Sequence, residues 1–258
     1  MMNRFKPRLA VWPVDPVLRK LNSLAKLSPD EEALLRAAAE HRERAAPGEE
    51  IIGEGQAAQR PRLVVAGWAA RQRVLPDGRR QIFSFVLPGD VLGFTARPAT
   101  ASPWSVTALT AFETLDGQSV AEAVAAGRAP GLAAAVAAFE AQGAQLLLDQ
   151  MVRLGQLTAY ERVAHFFLEL QRRLQVAGLG DSQRFPLPLT QEMLADALGL
   201  SIVHVNRTLQ QLRREGLIEL RSGVAILLRP DMLSSISDYD SVGAMRLLDA
   251  SQGVKRPA

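Results

Sequence analysis

The chain contains no cysteine, and this absence excludes several kinds of site at once. Disulfide bonds, thiolate-ligated zinc and cysteine-ligated iron–sulfur clusters all need a cysteine sulfur atom. Any response to oxygen or to redox state would therefore have to use another chemical group.

Histidine is scarce, since the sequence has only His41, His165 and His204. None of them lies in residues 49–115, where strands are predicted. A metal-dependent enzyme of the cupin type would need histidine ligands converging from those strands. We therefore predict no metal site and no enzyme activity.

Haem would need an axial histidine, methionine or tyrosine. His41 follows Glu40 in a charged run, and His204 lies close to the polar residues Asn206 and Arg207. His165 lies in an apolar helix beside two phenylalanines, where a structural imidazole is expected. We predict no cofactor, with haem left open as an alternative.

The sequence also lacks a long uncharged apolar segment. Its longest alanine-rich run, residues 131–141, contains Glu140 and is shorter than the roughly 20 residues that span a membrane. Residues 1–15 carry three basic side chains but no apolar stretch of the kind found in signal peptides. We expect a cytoplasmic protein with no membrane partner.

What the sequence does contain suits a globular protein of two modest domains. Its 258 residues, 48% of them hydrophobic, can build more than one core. The formal net charge of +3 is compatible with a nucleic-acid partner without requiring one.

Short strands separated by glycine and proline turns are predicted between residues 49 and 115. Turn pairs such as Asp77-Gly78 and Pro88-Gly89 lie between apolar segments, which is typical of an antiparallel sandwich or barrel. Before these strands, a helix is predicted over residues 29–43, with Ser28 as its N-terminal cap.

Two helices are predicted after the strands, over residues 131–157 and 158–176. The first has apolar residues over a wider surface than packing against one small sheet needs. This favours a homodimer with the helix at its interface. A plain spacer helix is the alternative, because the apolar repeat is not a strict heptad.

Residues 190–214 have the pattern of a helix-turn-helix. Thr190 and Ser201 are suited to cap two short helices, and Gly199 between them can adopt the positive φ that ends the first helix. The second helix is predicted to begin near Ile202.

The second helix has one apolar and one polar face, at about 100° of rotation per residue. The predicted buried stripe consists of Ile202, Val205, Leu209 and Leu212. The exposed side includes Arg207, which could hold guanine through two hydrogen bonds, and Asn206 and Gln210, which could do the same to adenine. An ordinary amphipathic helix with a solvated arginine face is the plainer alternative.

The segment after this helix favours the DNA-binding interpretation. Residues 217–220 and 224–228 have the pattern of two strands joined by a turn at Arg221-Ser222-Gly223, which predicts a winged helix-turn-helix. Double-stranded DNA is therefore the predicted partner. The candidate DNA-binding residues are Thr190, Gln191, Ser201, Val203, His204, Asn206, Arg207, Gln210, Arg214 and Arg221.

The order of these features resembles the Crp/Fnr superfamily of bacterial transcription regulators, over roughly residues 17–233. The resemblance is carried by LPGD at 87–90, the long central helix, LTAYERVAHFFLEL at 157–170 and HVNRTLQQLR at 204–213. It implies an α+β homodimer in which an antiparallel β-roll receives a signal and two recognition helices enter successive major grooves of a near-palindromic site. RNA polymerase is then an expected partner.

The resemblance also implies a division of the chain into four parts. These are a β-roll sensor domain (17–128), a dimerisation helix (129–157), a winged helix-turn-helix domain (158–233) and a C-terminal tail (234–258).

The chain departs from family members that bind cyclic nucleotides. Those members carry Gly-Glu-Leu followed by Arg-Ser or Arg-Thr, whereas this chain has Leu-Gly-Phe-Thr at 92–95 and Ser-Pro-Trp-Ser-Val at 102–106. The ribose-binding carboxylate and the phosphate-binding arginine are thus missing. We expect no effector, or another small molecule in a pocket of the roll. The candidate pocket residues are Phe83, Phe85, Phe94, Arg97 and Trp104, although aromatic residues at strand spacing also suit a plain core.

The recognition helix departs from the family at one position. Val203 stands where many members have a glutamate, four residues before the arginine that matches Arg207. We expect Arg207 to read guanine, and the half-site to differ at the base pair that a glutamate would contact. An adaptor that binds a protein partner and has lost DNA binding is the alternative function.

Overall fold

Two short helices open the part of the chain that the computed structural model describes, which comprises residues 14–56, 60–94, 101–237 and 239. Helix α1 spans Asp15–Leu24 and was not predicted, and α2 spans Pro29–Ala37. Ser28 caps α2 as predicted, because its hydroxyl accepts from the Glu31 backbone N–H at 3.3 Å and its own N–H donates to the Glu31 carboxylate at 2.7 Å. The predicted end at residue 43 is wrong, since residues 42–45 pair into a sheet instead.

The segment from residue 42 to residue 116 folds into two four-stranded antiparallel sheets, as the sequence pattern predicts. Its strands are β1 (Arg42–Ala45), β2 (Glu50–Ile52), β3 (Arg62–Ala66), β4 (Ala69–Val74), β5 (Arg80–Val86), β6 (Val91–Leu92), β7 (Ser105–Ala108) and β8 (Phe112–Asp116). One sheet has the order β1-β8-β3-β6 and the other β2-β7-β4-β5. The short helix α3 (Gln118–Ala125) follows and was not predicted.

An irregularity between β4 and β5 determines which side chains of β5 face inwards. Arg71 pairs with Ser84 but Gln72 pairs with Ile82, so Phe83 is an extra residue in β5. Such a bulge breaks the alternation of the strand. Ile82 and Phe85 are consequently buried, whereas Phe83 and Ser84 are only partly buried.

Helix α4, Pro130–Gln156, is 27 residues long and changes character along its length. Its first turns pack against α1, with Leu132, Ala135 and Val136 buried. Further on it exposes an apolar surface, formed by Leu147 (40% exposed), Leu148 (55%), Met151 (69%) and Val152 (55%). The helix is therefore packed against α1 at its start and leaves apolar side chains uncovered further along.

By length and composition alone, α4 could cross a membrane, a property that residues 131–141 by themselves did not suggest. One such helix is weak evidence, because helices of water-exposed proteins can meet the same criteria. The buried Gln150 and Arg153 donate hydrogen bonds to Ala197 and Glu169, which lie on the next two helices of the chain. These bonds attach α4 to the rest of the folded chain.

The C-terminal part contains the predicted winged helix-turn-helix. Its elements are α5 (Ala159–Val176), β9 (Arg184–Pro186), α6 (Gln191–Leu198), α7 (Ile202–Arg214), β10 (Ile218–Arg221), β11 (Val224–Leu227) and α8 (Pro230–Ser237). The hairpin β10–β11 is the wing, and β9 adds a third strand in the order β10-β11-β9. Strand β9 and helix α8 were not predicted.

One hydrophobic cluster runs without interruption from the β-roll, formed by the two sheets of residues 42–116, into this C-terminal part. Phe85 of β5 contacts Trp68 and Phe166 of α5, with ring centroids 5.9 and 5.7 Å apart. The same cluster continues to Leu194 of α6 and Leu209 of α7. The helix-turn-helix is therefore packed onto the roll through α5.

Polar contacts reinforce the same junction at the C-terminal end of α6. The Arg80 guanidinium of β5 lies 2.6 Å from the Asp196 carboxylate. Gln81 of β5 donates to the Asp196 carbonyl at 2.9 Å, and Gln150 of α4 donates to the Ala197 carbonyl at 2.6 Å. Because α6 is the first helix of the helix-turn-helix, its orientation is coupled to the roll.

Candidate DNA-binding surface

Side-chain caps and one glycine place the two helices of the helix-turn-helix. The Thr190 hydroxyl accepts from the Met193 N–H at 3.2 Å, and the Ser201 hydroxyl accepts from the His204 N–H at 3.2 Å. Gly199 has a φ of 61°, a conformation that residues with a side chain rarely adopt. The predicted caps and turn are confirmed.

The buried face of α7 agrees with the predicted stripe at three of four positions. Val205, Leu209 and Leu212 are buried, but Ile202 is 47% exposed, so its predicted burial is wrong. Thr208 is buried in its place. Both residues lie about 60° from Val205 on opposite sides, so helical periodicity ranks them equally and only tertiary packing selects one.

The opposite face of α7 is open to solvent. Arg207, Gln210 and Arg214 are exposed, and Val203 is 61% exposed. Within the ranges that the structure describes, Arg207 makes no hydrogen bond or ion pair, so its donors are available to an external acceptor. A free guanidinium on an exposed helix face can approach the edge of a guanine.

The remaining predicted DNA-binding residues surround this face. Thr190, Gln191, Ser201 and His204 are exposed at the starts of α6 and α7, and Asn206 is partly buried. Arg221 at the wing turn is exposed and lies 2.6 Å from the Glu219 carboxylate. All ten predicted residues thus lie on α6, α7, their capping residues or the wing.

A groove of about 260 Å³ separates α7 from the wing. Gln191, Asn206, Gln210 and Arg221 line it. Arg213 also lines it and was not predicted, although it follows Asn206 by seven residues and so shares its helix face. The polar rim of this groove has donors that could hold a DNA phosphate.

Helix α5 holds the C-terminal ends of both α6 and α7. The Arg162 guanidinium donates to the Leu157 carbonyl at 2.8 Å and to the Leu198 carbonyl at 3.0 Å, at the C-terminal end of α6. At the end of α7, the Tyr160 hydroxyl hydrogen-bonds the Glu215 carboxylate. Burial and this carboxylate raise the pKa of Tyr160 to about 12.

A separate cavity of about 40 Å³ lies between the roll and α4. Of the predicted pocket residues, Phe83 and Trp104 line it. Phe85 does not, because the bulge at Phe83 turns it into the hydrophobic cluster beside Phe166. Phe94 does not line it either, since its ring packs against Gly117, and Arg97 lies outside the described residues.

The charged wall of this cavity could not be predicted from the sequence. Arg71 of β4, Asp90 of the LPGD turn and Arg173 of α5 all line it. The Arg173 guanidinium donates to the Asp90 carboxylate at 2.8 Å and to the Phe85 carbonyl at 2.7 Å. These residues are far apart in the sequence, so no local pattern could have grouped them.

The described residues contain no group of three or more histidine, aspartate and glutamate side chains that could hold a metal ion. His165 is partly buried, with its ring edge against Tyr239 at 4.9 Å between centroids, and burial lowers its pKa. This packing is that of a structural imidazole.

The roll, the long helix and an exposed recognition helix with a wing define a DNA-binding regulatory protein. Two family profiles match the chain, the cyclic nucleotide-binding domain over residues 42–126 and the Crp-like helix-turn-helix domain over residues 161–236. The chain belongs to the Crp/Fnr family of DNA-binding transcription regulators.

Relatives of known role are regulators and not enzymes. The nitrogen fixation regulation protein FixK of Azorhizobium caulinodans is 34% identical over 180 residues, which cover 70% of this chain and 72% of that protein. The transcriptional activatory protein AadR of Rhodopseudomonas palustris is 31% identical over 217 residues, or 81% and 87% of the two chains. The structure of FixK2 from Bradyrhizobium japonicum superposes with a TM-score of 0.66 at 31% identity, covering 76% of this chain and 96% of that one.

Proposed function

We propose that this regulator acts in the cytoplasm as a homodimer, whose two α7 helices read a near-palindromic DNA site and whose bound form meets RNA polymerase. The observation that carries the proposal is the exposed Arg207 on a helix capped at its start by Ser201. Arg207, Gln210 and Asn206 then contact base edges, while Thr190, Gln191 and Arg221 contact phosphates.

The dimer rests on the uncovered apolar surface of α4. Leu148, Met151 and Val152 are each more than half exposed, although they lie on a helix whose first turns are well packed. Burying such side chains against the same helix of a second subunit removes them from water and brings two recognition helices together. The division into sensor domain, dimerisation helix and winged domain follows from the same arrangement.

The effector, if there is one, is not a cyclic nucleotide. The cavity beside the roll is about 40 Å³, room for only a few water-sized groups. The segments 92–94 and 102–106 present no carboxylate or guanidinium to a ribose or cyclic phosphate. Calorimetric titration with cyclic AMP or cyclic GMP should therefore show no micromolar site.

Replacing Arg207 tests the DNA-reading role. Arg207→Ala should lose about 1–3 kcal/mol of discrimination at one guanine of each half-site, because the bidentate contact disappears. Fluorescence anisotropy with the cognate site and with guanine-substituted sites measures this loss. Arg79→Ala, which removes an exposed arginine of the roll, is the matched control and should bind as wild type.

The ratio of the DNA affinity for the cognate site to that for each guanine-substituted site decides the interpretation. If Arg207→Ala keeps the wild-type ratio at every guanine, Arg207 is not a base reader. If the wild type binds no genomic fragment at all, the adaptor function replaces the DNA-reading one.

Replacing Met151 tests the dimer. Met151→Glu places a charge at the most exposed large apolar side chain of α4 and should yield monomers with weaker DNA binding, because the two half-sites are no longer linked. Leu147→Glu should act in the same direction, but Leu147 also lines the cavity, so Met151 is the cleaner position. Sedimentation of the wild type, Met151→Glu and the control Met232→Glu, at an exposed site on α8, would detect the change. A dimeric Met151→Glu would contradict the assigned interface.

A further inference from the structure

Three cationic side chains from three different elements meet beside the cavity of the roll. Lys20 of α1 is 3% exposed and hydrogen-bonds the Gln142 side chain of α4, which lines the cavity. Arg71 and Arg173 line the cavity directly. Asp90, 5% exposed, is the carboxylate that interacts with all three.

The neighbouring ion pair does not balance this charge. Glu169 lies 3.5 Å from Arg173, but it also accepts from Arg153 at 2.5 Å. Arg153 is itself 2% exposed, so the carboxylate of Glu169 balances the charge of Arg153. The cluster of Lys20, Arg71, Asp90, Arg153, Glu169 and Arg173 therefore carries two more positive than negative charges. Arg71 and Arg173 are partly buried and the other four side chains are buried, so most of this excess charge is held away from water, which is unfavourable until a counter-charge joins it.

The burial of these cations affects their pKa values. Burial lowers the pKa of Lys20 to about 8, against the opposing effect of Asp90. Burial also lowers the pKa of Arg71. Both groups would hold their protons more firmly beside an added anion.

The cavity has the size and lining for a small anion. About 40 Å³ of free space accommodates a group of a few heavy atoms. Trp104, Phe83 and Phe139 supply apolar walls, and Ser84 and Gln142 supply neutral polar groups. An oxyanion with a short apolar body matches both kinds of wall.

We propose that this cavity binds a small oxyanion, a carboxylate or phosphate group, through Arg71 and Arg173 with Lys20 behind them. The proposal rests on the proposed function, in which the roll is the sensor domain. It names the chemistry of the effector, and it uses residues of α1, β4 and α5 rather than residues 92–106, where cyclic-nucleotide-binding relatives carry their contacts.

The same arginine links the cavity to the helix-turn-helix. Arg173 lies on α5, which also carries Arg162, the side chain bonded to the end of α6. An anion that accepts from Arg173 competes with Asp90 and Glu169 for its donors. Occupancy of the cavity would thereby alter the contact between the LPGD turn and α5 and could bias the position of the DNA-reading helices.

Thermal unfolding of the full-length protein at constant ionic strength tests the site. The probes are sodium phosphate and sodium butyrate, each compared with sodium chloride. In the wild type at least one probe should raise the unfolding midpoint by about 3 °C or more over chloride. The probe that acts identifies whether a phosphate or a carboxylate is preferred.

Variants separate a bound anion from a general salt effect. Arg71→Met should lose the response to the probe, whereas Arg73→Met, an exposed arginine two residues along the same strand, should keep it. Lys20→Met, on a different element, should weaken the response as well and serves if Arg71→Met does not fold. Neither probe acting on the wild type, or an undiminished response in the folded variants, would overturn the proposal.

DNA binding is measured on the same preparations by anisotropy. A protein that binds DNA but gives no anion response contradicts only the anion site. A protein that gives the anion response but binds no DNA contradicts only the proposed function.

Discussion

Two arginines of this protein, Arg207 on α7 and Arg153 on α4, carry the same side chain in opposite surroundings. Arg207 is exposed and makes no contact with a described acceptor, so its charge is available to a partner in solution. Arg153 is 2% exposed, lies 2.5 Å from the Glu169 carboxylate and lies over the Phe166 ring at 5.4 Å. The exposed location of Arg207 suits recognition of a partner, and the buried location of Arg153 suits a structural role.

These two locations indicate where the protein can tolerate substitution. An exposed charge loses little when its neighbours change, because water screens it. A buried charge depends on its partner, and Arg153 has two donor nitrogens, Nε and Nη1, without a described acceptor. The recognition surface should therefore accept substitutions that alter specificity, while the junction between roll, α4 and α5 should not.

The largest effect is expected from breaking the buried pair. Glu169→Leu leaves Arg153 without its carboxylate and weakens the pairing of Arg173, so it should lower the free energy of unfolding by about 3–5 kcal/mol. Urea denaturation at a fixed protein concentration measures this. Glu32→Leu, which removes the partner of Arg36 in an exposed pair, should cost no more than about 1 kcal/mol.

A double variant tests the same buried pair. Arg153→Met combined with Glu169→Leu removes both charges and should recover much of the lost stability, because apolar groups of similar size can replace a buried pair. If Glu169→Leu alone unfolds with a free energy within 1 kcal/mol of the wild type, roughly the exposed-pair range, the buried pair is not structural.

A smaller, pH-dependent effect is expected at Lys20, whose pKa burial lowers from 10.5 to about 8. Because the unfolded chain holds this proton more tightly, it binds more protons than the folded chain between these two values, and stability rises with pH. Below pH 8 the lysine is charged in both states and the full cost applies. Between pH 7.5 and 9.5 the folded protein should gain about 2 kcal/mol from this group.

Urea denaturation of the wild type and two variants at both pH values checks this, in chloride buffer without phosphate. Lys20→Met should lose the gain, and Lys26→Met, at an exposed lysine beyond α1, should keep it. A Lys20→Met protein with the same pH dependence as the wild type would show that burial does not perturb this amine.

The features that local residues determine could be predicted from the sequence. Thr190, Gly199 and Ser201 specify the ends of α6 and α7 within a few residues, so the helix-turn-helix could be predicted almost to the residue. The antiparallel sheets could be predicted as a class for the same reason, from turn pairs between apolar segments.

Features that depend on distant residues could not be predicted. Strand β1 is charged and mostly exposed, and it exists because it pairs with β8 some seventy residues later. The charges of the cavity come from α1, β4, the LPGD turn and α5, which only the folded chain brings together. The bulge that separates Phe83 from Phe85 also arises from pairing and leaves no mark in the alternation of residues.

The smallest expected effect belongs to the recognition surface, whose local order depends on a neutral cap and not on a buried charge. Ser201→Ala removes the hydrogen bond from the His204 N–H and should cost about 1 kcal/mol of unfolding free energy. Ser235→Ala, at an exposed position within α8, should be neutral or slightly stabilising, because alanine favours helix interiors. If the cap also positions Arg207, Ser201→Ala should weaken DNA binding in anisotropy by more than Ser235→Ala does. Equal stability and equal DNA affinity of the two variants would mean that the start of α7 is held by its packing on α6 alone.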